Sequence, residues 1–364
     1  MSMTKARREE LQNKLLRAVW RRGAKFSAAE FAAEQGVTTS TVYRHLAQLE
    51  AAGRLIKNKA GGRLLYRLAE EQKNMEFHRP FPDESYIWGK YYAEFLAELP
   101  KIAFNNLEYA FVEMANNALN HSEGETVKIY CSKNGCEVSF LIRDDGIGIF
   151  RKIADAFQLP ELSFAVLELA KGGCTTDPHD HTGEGVFFSS RVVDRFVISS
   201  DGIDFFGPTE ERLPVAEQRP LDEPTRKGTT VYMSIDYDHA QPSKAVFDEF
   251  SDTEDDNRAF TDTIIPVRLA SYGPGSQTVI SRSQGRRLMA RVERFKHIVL
   301  DFTDVSEIGQ GFADEVFRVF LEKHPGCKIM IVEANPDVLK MCAHVLYGRE
   351  CAGRVIIGDN RSHA

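Results

Sequence analysis

Apolar positions recur at helical spacing from the start of the chain: Leu11, Leu15, Leu16 and Val19 share one face of a helix predicted over residues 5–21. Ser27-Ala-Ala-Glu30 has capping-box spacing and predicts a second helix, which Gly36 ends. A third helix, capped by Thr39 or Ser40, turns Val42, Leu46 and Leu49 inward and gathers Thr41, Arg44, His45 and Gln48 on its other side. Gly53 stops it. Residues 54–68 then alternate around Lys59-Ala-Gly-Gly62, as two short strands joined by a turn would.

Farther along, residues 86–99 are aromatic-rich with a helical period, and residues 107–122 form a stronger helix whose Phe111, Val112, Ala115 and Leu119 can face a core. That helix also carries a polar stripe, Glu113, Asn117, Asn120 and His121. Such groups aligned on an otherwise apolar helix are costly to bury unless they bind something, and a solvated face would more often show Lys and Glu. Strands are predicted over 127–131 and 137–143. The second runs into Asp144-Asp-Gly-Ile-Gly148, where a carboxylate and two glycines let the backbone approach a flat ligand. His181-Thr-Gly-Glu-Gly185 opens a helix over 186–195 whose first amides suit phosphate, and a strand follows over 227–234. In the last third, strands over 263–269, 297–302 and 327–332 alternate with helices over 283–295 and 311–323, which predicts a small α/β unit with parallel pairing.

Composition sharpens this picture. With 364 residues, 43% of them hydrophobic, the chain can bury several cores and is expected to be multidomain. No run approaches the roughly 18 apolar residues that cross a bilayer, and no leader-like segment opens the chain, so no membrane partner and a cytoplasmic location are expected. The six cysteines form no CxxC pair and are read as reduced thiols; Cys174 with His179 and His181 is the one grouping with metal-ligand chemistry, and it is expected to hold no metal. Charge is divided unevenly: residues 1–70 carry +8 and the other 294 carry −15, a basic head on an acidic body, which suits a polyanion partner for the head alone. Pro80 and Pro82 mark one joint and the carboxylate-rich run 248–256 another. The expected division is a head at 1–72, a linker at 73–85, a central domain at 86–245, an acidic linker at 246–261 and a C-terminal domain at 262–364.

Residues 5–70 resemble the winged helix-turn-helix family, most clearly through SAAEFAAEQGVTTSTVYRHLAQLEAAGRLIK at positions 27–57. The resemblance implies a recognition helix over 39–52 in the major groove of double-stranded DNA, presenting Thr41, Arg44, His45 and Gln48, with Lys57, Lys59 and Arg63 of the wing on phosphates. Winged helices also serve as protein-docking modules, and that alternative stays open.

Residues 86–240 resemble the gyrase, chaperone, histidine kinase and MutL (GHKL) superfamily of ATP-binding domains, through the Glu113-to-Asn117 spacing, Asp144-Asp-Gly-Ile-Gly148, the glycines before residue 186 and the strand entered by Gly228. The family implies an α/β-sandwich, Bergerat-type ATPase domain with ATP and Mg2+ as cofactors. Glu113 would stand as general base and Asn117 as magnesium ligand, with Asn120 and His121 beside the nucleotide. Asp144 would accept the adenine amino group with help from Thr229, Gly146 and Gly148 would line the nucleotide, and Gly183 and Gly185 would cradle phosphates. Residues 150–182 would form a lid that brings Lys171 and Thr175 near those phosphates. The phosphoacceptor segment of sensor kinases is missing before Glu113, and His78 stands in the linker just ahead of Pro80 and Pro82, so histidine autophosphorylation is not expected.

Ile298-Val-Leu-Asp-Phe-Thr-Asp-Val-Ser-Glu-Ile-Gly-Gln-Gly-Phe312 resembles the STAS domain of anti-sigma antagonists, and more closely a STAS-like domain of unknown function. Gly309, Gln310 and Gly311 stand where the STAS phosphoacceptor serine would be, so its phosphorylation does not carry over. Thr303 and Ser306 are read as turn residues, and binding of protein is the role implied. The fold class expected is therefore a multidomain α+β and α/β chain: winged helix, ATPase sandwich, small STAS-like unit. The function expected is a cytoplasmic, homodimeric, ATP-dependent DNA-binding regulator with slow hydrolysis. The alternative is a protein serine kinase or anti-sigma-like partner-switching module whose head docks to protein; a third reading makes ATP a structural ligand.

Overall fold

Helix α1 (Lys5–Arg22) buries Leu11, Leu15, Leu16 and Val19 against α2 (Ala28–Glu34) and α3 (Thr39–Ala51), the packing its apolar spacing predicts. Ser27 caps α2, its hydroxyl accepting from the Glu30 amide at 3.4 Å. The cap of α3 falls one residue earlier than expected: the Thr38 hydroxyl, not that of Thr39 or Ser40, accepts from the Thr41 amide at 3.2 Å. Strands β1 (Leu55–Ala60) and β2 (Arg63–Leu68) close the head as an antiparallel hairpin. The computed structural model describes residues 5–60, 63–173, 183–211, 227–251, 260–271 and 278–358.

The linker expected over 73–85 is instead the edge of the central sheet. Strand β3 (Glu71–His78) follows β2 after two intervening residues and pairs antiparallel along its whole length with β4 (Thr126–Lys133). Met75 and Phe77 alternate with polar neighbours and turn toward the central core, a period-two signal overshadowed by the prolines that follow. Next come α4 (Glu84–Ile87), extended by a wide turn over Trp88–Tyr92, α5 (Lys101–Asn116) and, after β4, strand β5 (Glu137–Asp144). Helices α6 (Ile149–Phe157), α7 (Phe164–Ala170) and α8 (Gly185–Val192) lead to β6 (Arg195–Ser200), β7 (Ile203–Phe206), α9 (Pro208–Glu211), β8 (Thr229–Asp236) and α10 (Ser243–Phe250). The six strands run β3-β4-β5-β8-β6-β7, each antiparallel to its neighbour. Alternate residues of β4 and β5 enter one core, where Phe140 meets Trp88, Tyr92 and Phe111 from the helices.

The acidic linker expected at 246–261 is structured at both described ends. Helix α10 buries Val246 and Phe250, and Phe260 packs on Phe187, Phe188 and Phe295, which joins the central core to the next one. Apolar residues among the carboxylates decide this, because charge on one side of a helix leaves the other free to bury.

The C-terminal unit contains β9 (Asp262–Pro266), β10 (Thr278–Val279), α11 (Arg282–Met289), β11 (His297–Asp301), β12 (Glu307–Ile308), α12 (Gln310–Ala313), α13 (Phe320–Lys323), β13 (Lys328–Val332), α14 (Pro336–Leu346) and β14 (Val355–Ile357). Its main sheet, β14-β13-β11-β9, is parallel throughout, as the alternation of strands and helices predicts. The strand expected over 263–269 ends at Pro266, where the missing backbone donor stops the ladder. Among the described residues no helix is long and apolar enough to cross a membrane.

Candidate functional site

A cavity of about 370 Å³ opens where the end of α5 crosses the ends of β5 and β8 and the start of α8. Glu113, Asn117, His121, Asp144, Gly148, Gly183, Gly185 and Thr229 all line it, although they are spread over more than a hundred positions. Three of the four stripe residues and the glycines at 148, 183 and 185 thus reach one space.

Asp144 closes β5 and is 4% exposed. Its Oδ1 accepts from the Gly146 amide at 2.9 Å and from the Thr229 amide at 3.1 Å, which fixes the carboxyl plane; Oδ2 takes part in neither bond. Burial pushes this carboxyl up to about 6, and the two backbone donors pull against that rise. Thr229 also accepts, through its hydroxyl, from the Ile149 amide at 3.0 Å, so the first turn of α6 is pinned to β8 beside Asp144. Gly148 permits this close approach: its φ is +91°, and a Cβ there would stand 2.6 Å from the Ser200 hydroxyl. Ile142, Ile147, Ile153, Leu169, Ile198 and Val231 supply apolar wall in the same cavity.

Acidic groups line the cavity as well. A Cβ on Gly185 would collide with Glu113 Oε2, so the bare glycine lets this carboxylate reach the first turn of α8, where the helix dipole favours negative charge. Tyr109, one turn before Glu113, also lines the cavity; burial, then the charges of Glu113 and Glu184, push its phenol up. Lys152 on α6 donates to the His121 carbonyl at 2.7 Å and lies 3.3 Å from Glu123, so a cation stands at the wall. The site can therefore hold a flat, partly apolar molecule with a hydrogen-bond donor at Asp144, and it presents backbone amides, one lysine and two neutral amides, Asn116 and Asn117, around it.

Three expected residues do not line this cavity. Asn120 is exposed and donates to Asn116 Oδ1 at 2.6 Å. The helix explains it, because the chain widens to i→i+5 bonds over Asn117–His121, and a position three residues beyond Asn117 no longer returns to its face. Gly146 lies behind the wall, its α-carbon so close to the Ser122 carbonyl that no Cβ fits. Lys171 faces away: 2% exposed, it bonds Glu168 at 2.8 Å and the carbonyls of Arg287 and Ala290 at 2.8 and 3.0 Å in the C-terminal unit. Much of the expected lid, 150–182, is helix, α6 and α7. Thr175, Cys174, His179 and His181 lie outside the described residues, among which no group of three or more His, Cys, Asp or Glu could hold a metal.

Tyr109, Asn116 and Lys152 went unread in the sequence. Tyr109 carried a usable signal, since it precedes Glu113 by four residues on one helix. Lys152 carried none, sitting in a segment read only as a lid.

On the head, Arg44 and Gln48 are exposed on α3, Thr41 is half-buried in the cap network with Thr38, and Lys57 and Lys59 project from β1. Gln48 is bonded to Gln12 at 3.2 Å. The side chain of Arg63 lies outside the described ones. His45 departs from expectation: it is 1% exposed, within the core. Three residues after Val42 and four before Leu49, it belongs to the apolar stripe, and burial, then the cations Arg44 and Arg8, hold its pKa below the usual imidazole value.

Residues 11–62 match the family model of an HTH domain, and residues 284–339 match that of a STAS-like domain of unknown function. No curated protein matches the chain. The protein is a multidomain chain with an N-terminal HTH domain and a C-terminal STAS-like domain.

Proposed function

We propose that the chain is a DNA-binding regulator whose central domain is a GHKL-type unit that binds ATP with magnesium and sets the state of the HTH head. One observation carries this reading: Glu113, Asn117, Asp144, Gly148, Gly183, Gly185 and Thr229 line a single cavity. Seven positions named for one ligand would otherwise fall on unrelated surfaces.

The residues fit that ligand. Asp144, buried and held by two backbone donors, offers an oxygen to an adenine amino group, and the glycine at 148 leaves room for the ring. The amides at the start of α8 and Lys152 suit phosphate oxygens. Asn117 would ligate magnesium, a neutral amide oxygen being enough for a hard cation that receives most of its negative charge from phosphates. The bound ion supplies charge neutralisation at the transferring phosphoryl group. Glu113 orients a water and takes its proton. Slow hydrolysis then ends the ATP-bound state.

DNA enters through the head. Arg44 and Gln48 on the outer side of α3 reach base edges, and Lys57 and Lys59 reach phosphates. Symmetric pairing of two heads on double-stranded DNA is part of the same reading.

Titrating a DNA duplex against the protein with ATP, with ADP and without nucleotide tests the proposal, and affinity should change between the three and fall steeply with salt. Glu113→Ala should bind ATP but release no phosphate, while Asp144→Asn should lose ATP binding. Equal ATP affinity for Asp144→Asn and the parent removes the nucleotide assignment. Label from γ-phosphate passing to protein, with no DNA binding, favours a serine kinase instead.

A further inference from the structure

We infer that the STAS-like domain holds one wall of the nucleotide cavity through α7, so that occupancy of the cavity and the grip of that domain are thermodynamically coupled. This deepens the nucleotide reading above and rests on it.

Helix α7 is only two turns long and serves two cores. Leu169 lines the cavity, while Leu167, fully buried, belongs to the apolar core of the STAS-like domain. Two helical residues apart is roughly 200° around the axis, so the two side chains leave opposite faces. A displacement of this short helix is therefore felt on both sides.

The STAS-like domain does more than touch it. Lys171, which ends α7, donates to the Arg287 and Ala290 carbonyls, and its own carbonyl accepts from the Thr263 hydroxyl at 2.7 Å on β9. Glu168 accepts from Lys171 and is gripped from the other side by Arg291, at 2.9 and 3.0 Å. Arg294 donates to the Gly173 carbonyl at 2.6 Å and also to that of Gly172. Arg287 and Arg291 stack over Phe164 and Phe157, at 3.6 and 4.4 Å from the ring centres. Three arginines from α11 and the turn after it thus close on one segment.

Two properties make this a coupling device and not simply a large contact. The Lys171–Glu168 pair is buried, 2% and 3% exposed, so it cannot be opened on one side without stranding a charge. The cage that satisfies it is built by both domains, so α7 moves only with residues 287–294. A ligand that needs Leu169 in place is then favoured by whatever holds those residues, and by linkage the ligand stabilises them equally. A protein bound to the STAS-like domain would act on the nucleotide site by this route.

Hydrogen exchange of the full chain with and without ATP and magnesium, together with ATP titration of Arg291→Ala and Arg294→Ala, tests the inference. ATP should slow exchange in residues 164–173 and also in 284–294, and each variant should weaken ATP binding about five- to tenfold. Asp144→Asn should abolish both responses. Should the parent bind ATP and Asp144→Asn fail to, while 284–294 exchange unchanged and both arginine variants bind as the parent does, the coupling is overturned and the nucleotide site stands. Absence of ATP binding by the parent overturns both. If an arginine variant does not fold, exchange in the parent decides.

Discussion

The central domain meets its two neighbours in contrasting ways. Against the head it offers Cys136, at the turn between β4 and β5, which is buried in the head's core, and Asp238, whose carboxylate lies 2.9 Å from Arg17 with both side chains about 40% exposed. Against the STAS-like domain it offers a buried ion pair, carbonyls capped by arginines, and the Phe260 ring shared between two cores. Exposed ion pairs contribute about 0–1 kcal/mol and weaken with salt, whereas a buried pair stripped of one partner loses about 3–5 kcal/mol. The charged contact with the head is thus the weaker of the two, and on the coupling inferred above the STAS-like domain moves with the cavity wall.

The contrast is sharpest at Glu168. Glu168→Ala strands Lys171 and removes the anchor of Arg291, and urea unfolding should show a loss of about 3–5 kcal/mol. A loss no larger than that of an exposed surface pair would mean that the two interfaces are alike. Protonation of Asp144 gives a smaller and reversible effect. Its pKa stands at about 6, above the usual carboxylate range, because of burial. Raised in this way, the group disfavours the folded state once it ionises: its contribution is most favourable below the unfolded carboxyl pKa and is lost as pH rises through about 6. Donor recognition needs the charged form, so ATP affinity should run the other way and fall as pH drops through about 6. A flat affinity profile from pH 7.5 to 5 would take Asp144 out of recognition. The smallest effect belongs to the head. Arg17→Ala should change stability by less than about 1 kcal/mol, as thermal melting reads it, yet alter how DNA affinity responds to ATP. An unaltered response would show that this contact does not report the cavity's state.

Much of this was legible in the sequence because it is local. A cap and a three-and-four spacing of apolar residues are decided within one or two turns, so α1 and α3 follow from leucine and valine positions, α2 from its Ser27 cap, and the parallel C-terminal sheet from the order of its strands and helices. Glu113, Asn117, Asp144 and the glycines at 148, 183 and 185 were legible for another reason: a bare α-carbon or a buried carboxylate is tolerated only where something passes close. The apolar wall was not, since Ile147, Ile153 and Val231 look like any core residue until the elements carrying them meet.

Residue order alone determined the HTH head and the STAS-like unit, the head's charge and most of the polar positions that converge on the cavity. Only the tertiary structure decided that 71–78 is a sheet edge and not a tether, that Asn120 leaves the cavity where α5 widens, that His45 is core, and that Lys171 serves the STAS-like interface in place of a phosphate. Two of these depend on a partner far away in the chain: a strand that needs β4, and a cation that needs the carbonyls of 287 and 290. Periodicity can mark such a strand but does not name its partner, because the energy of the pairing comes from burial that exists only after folding.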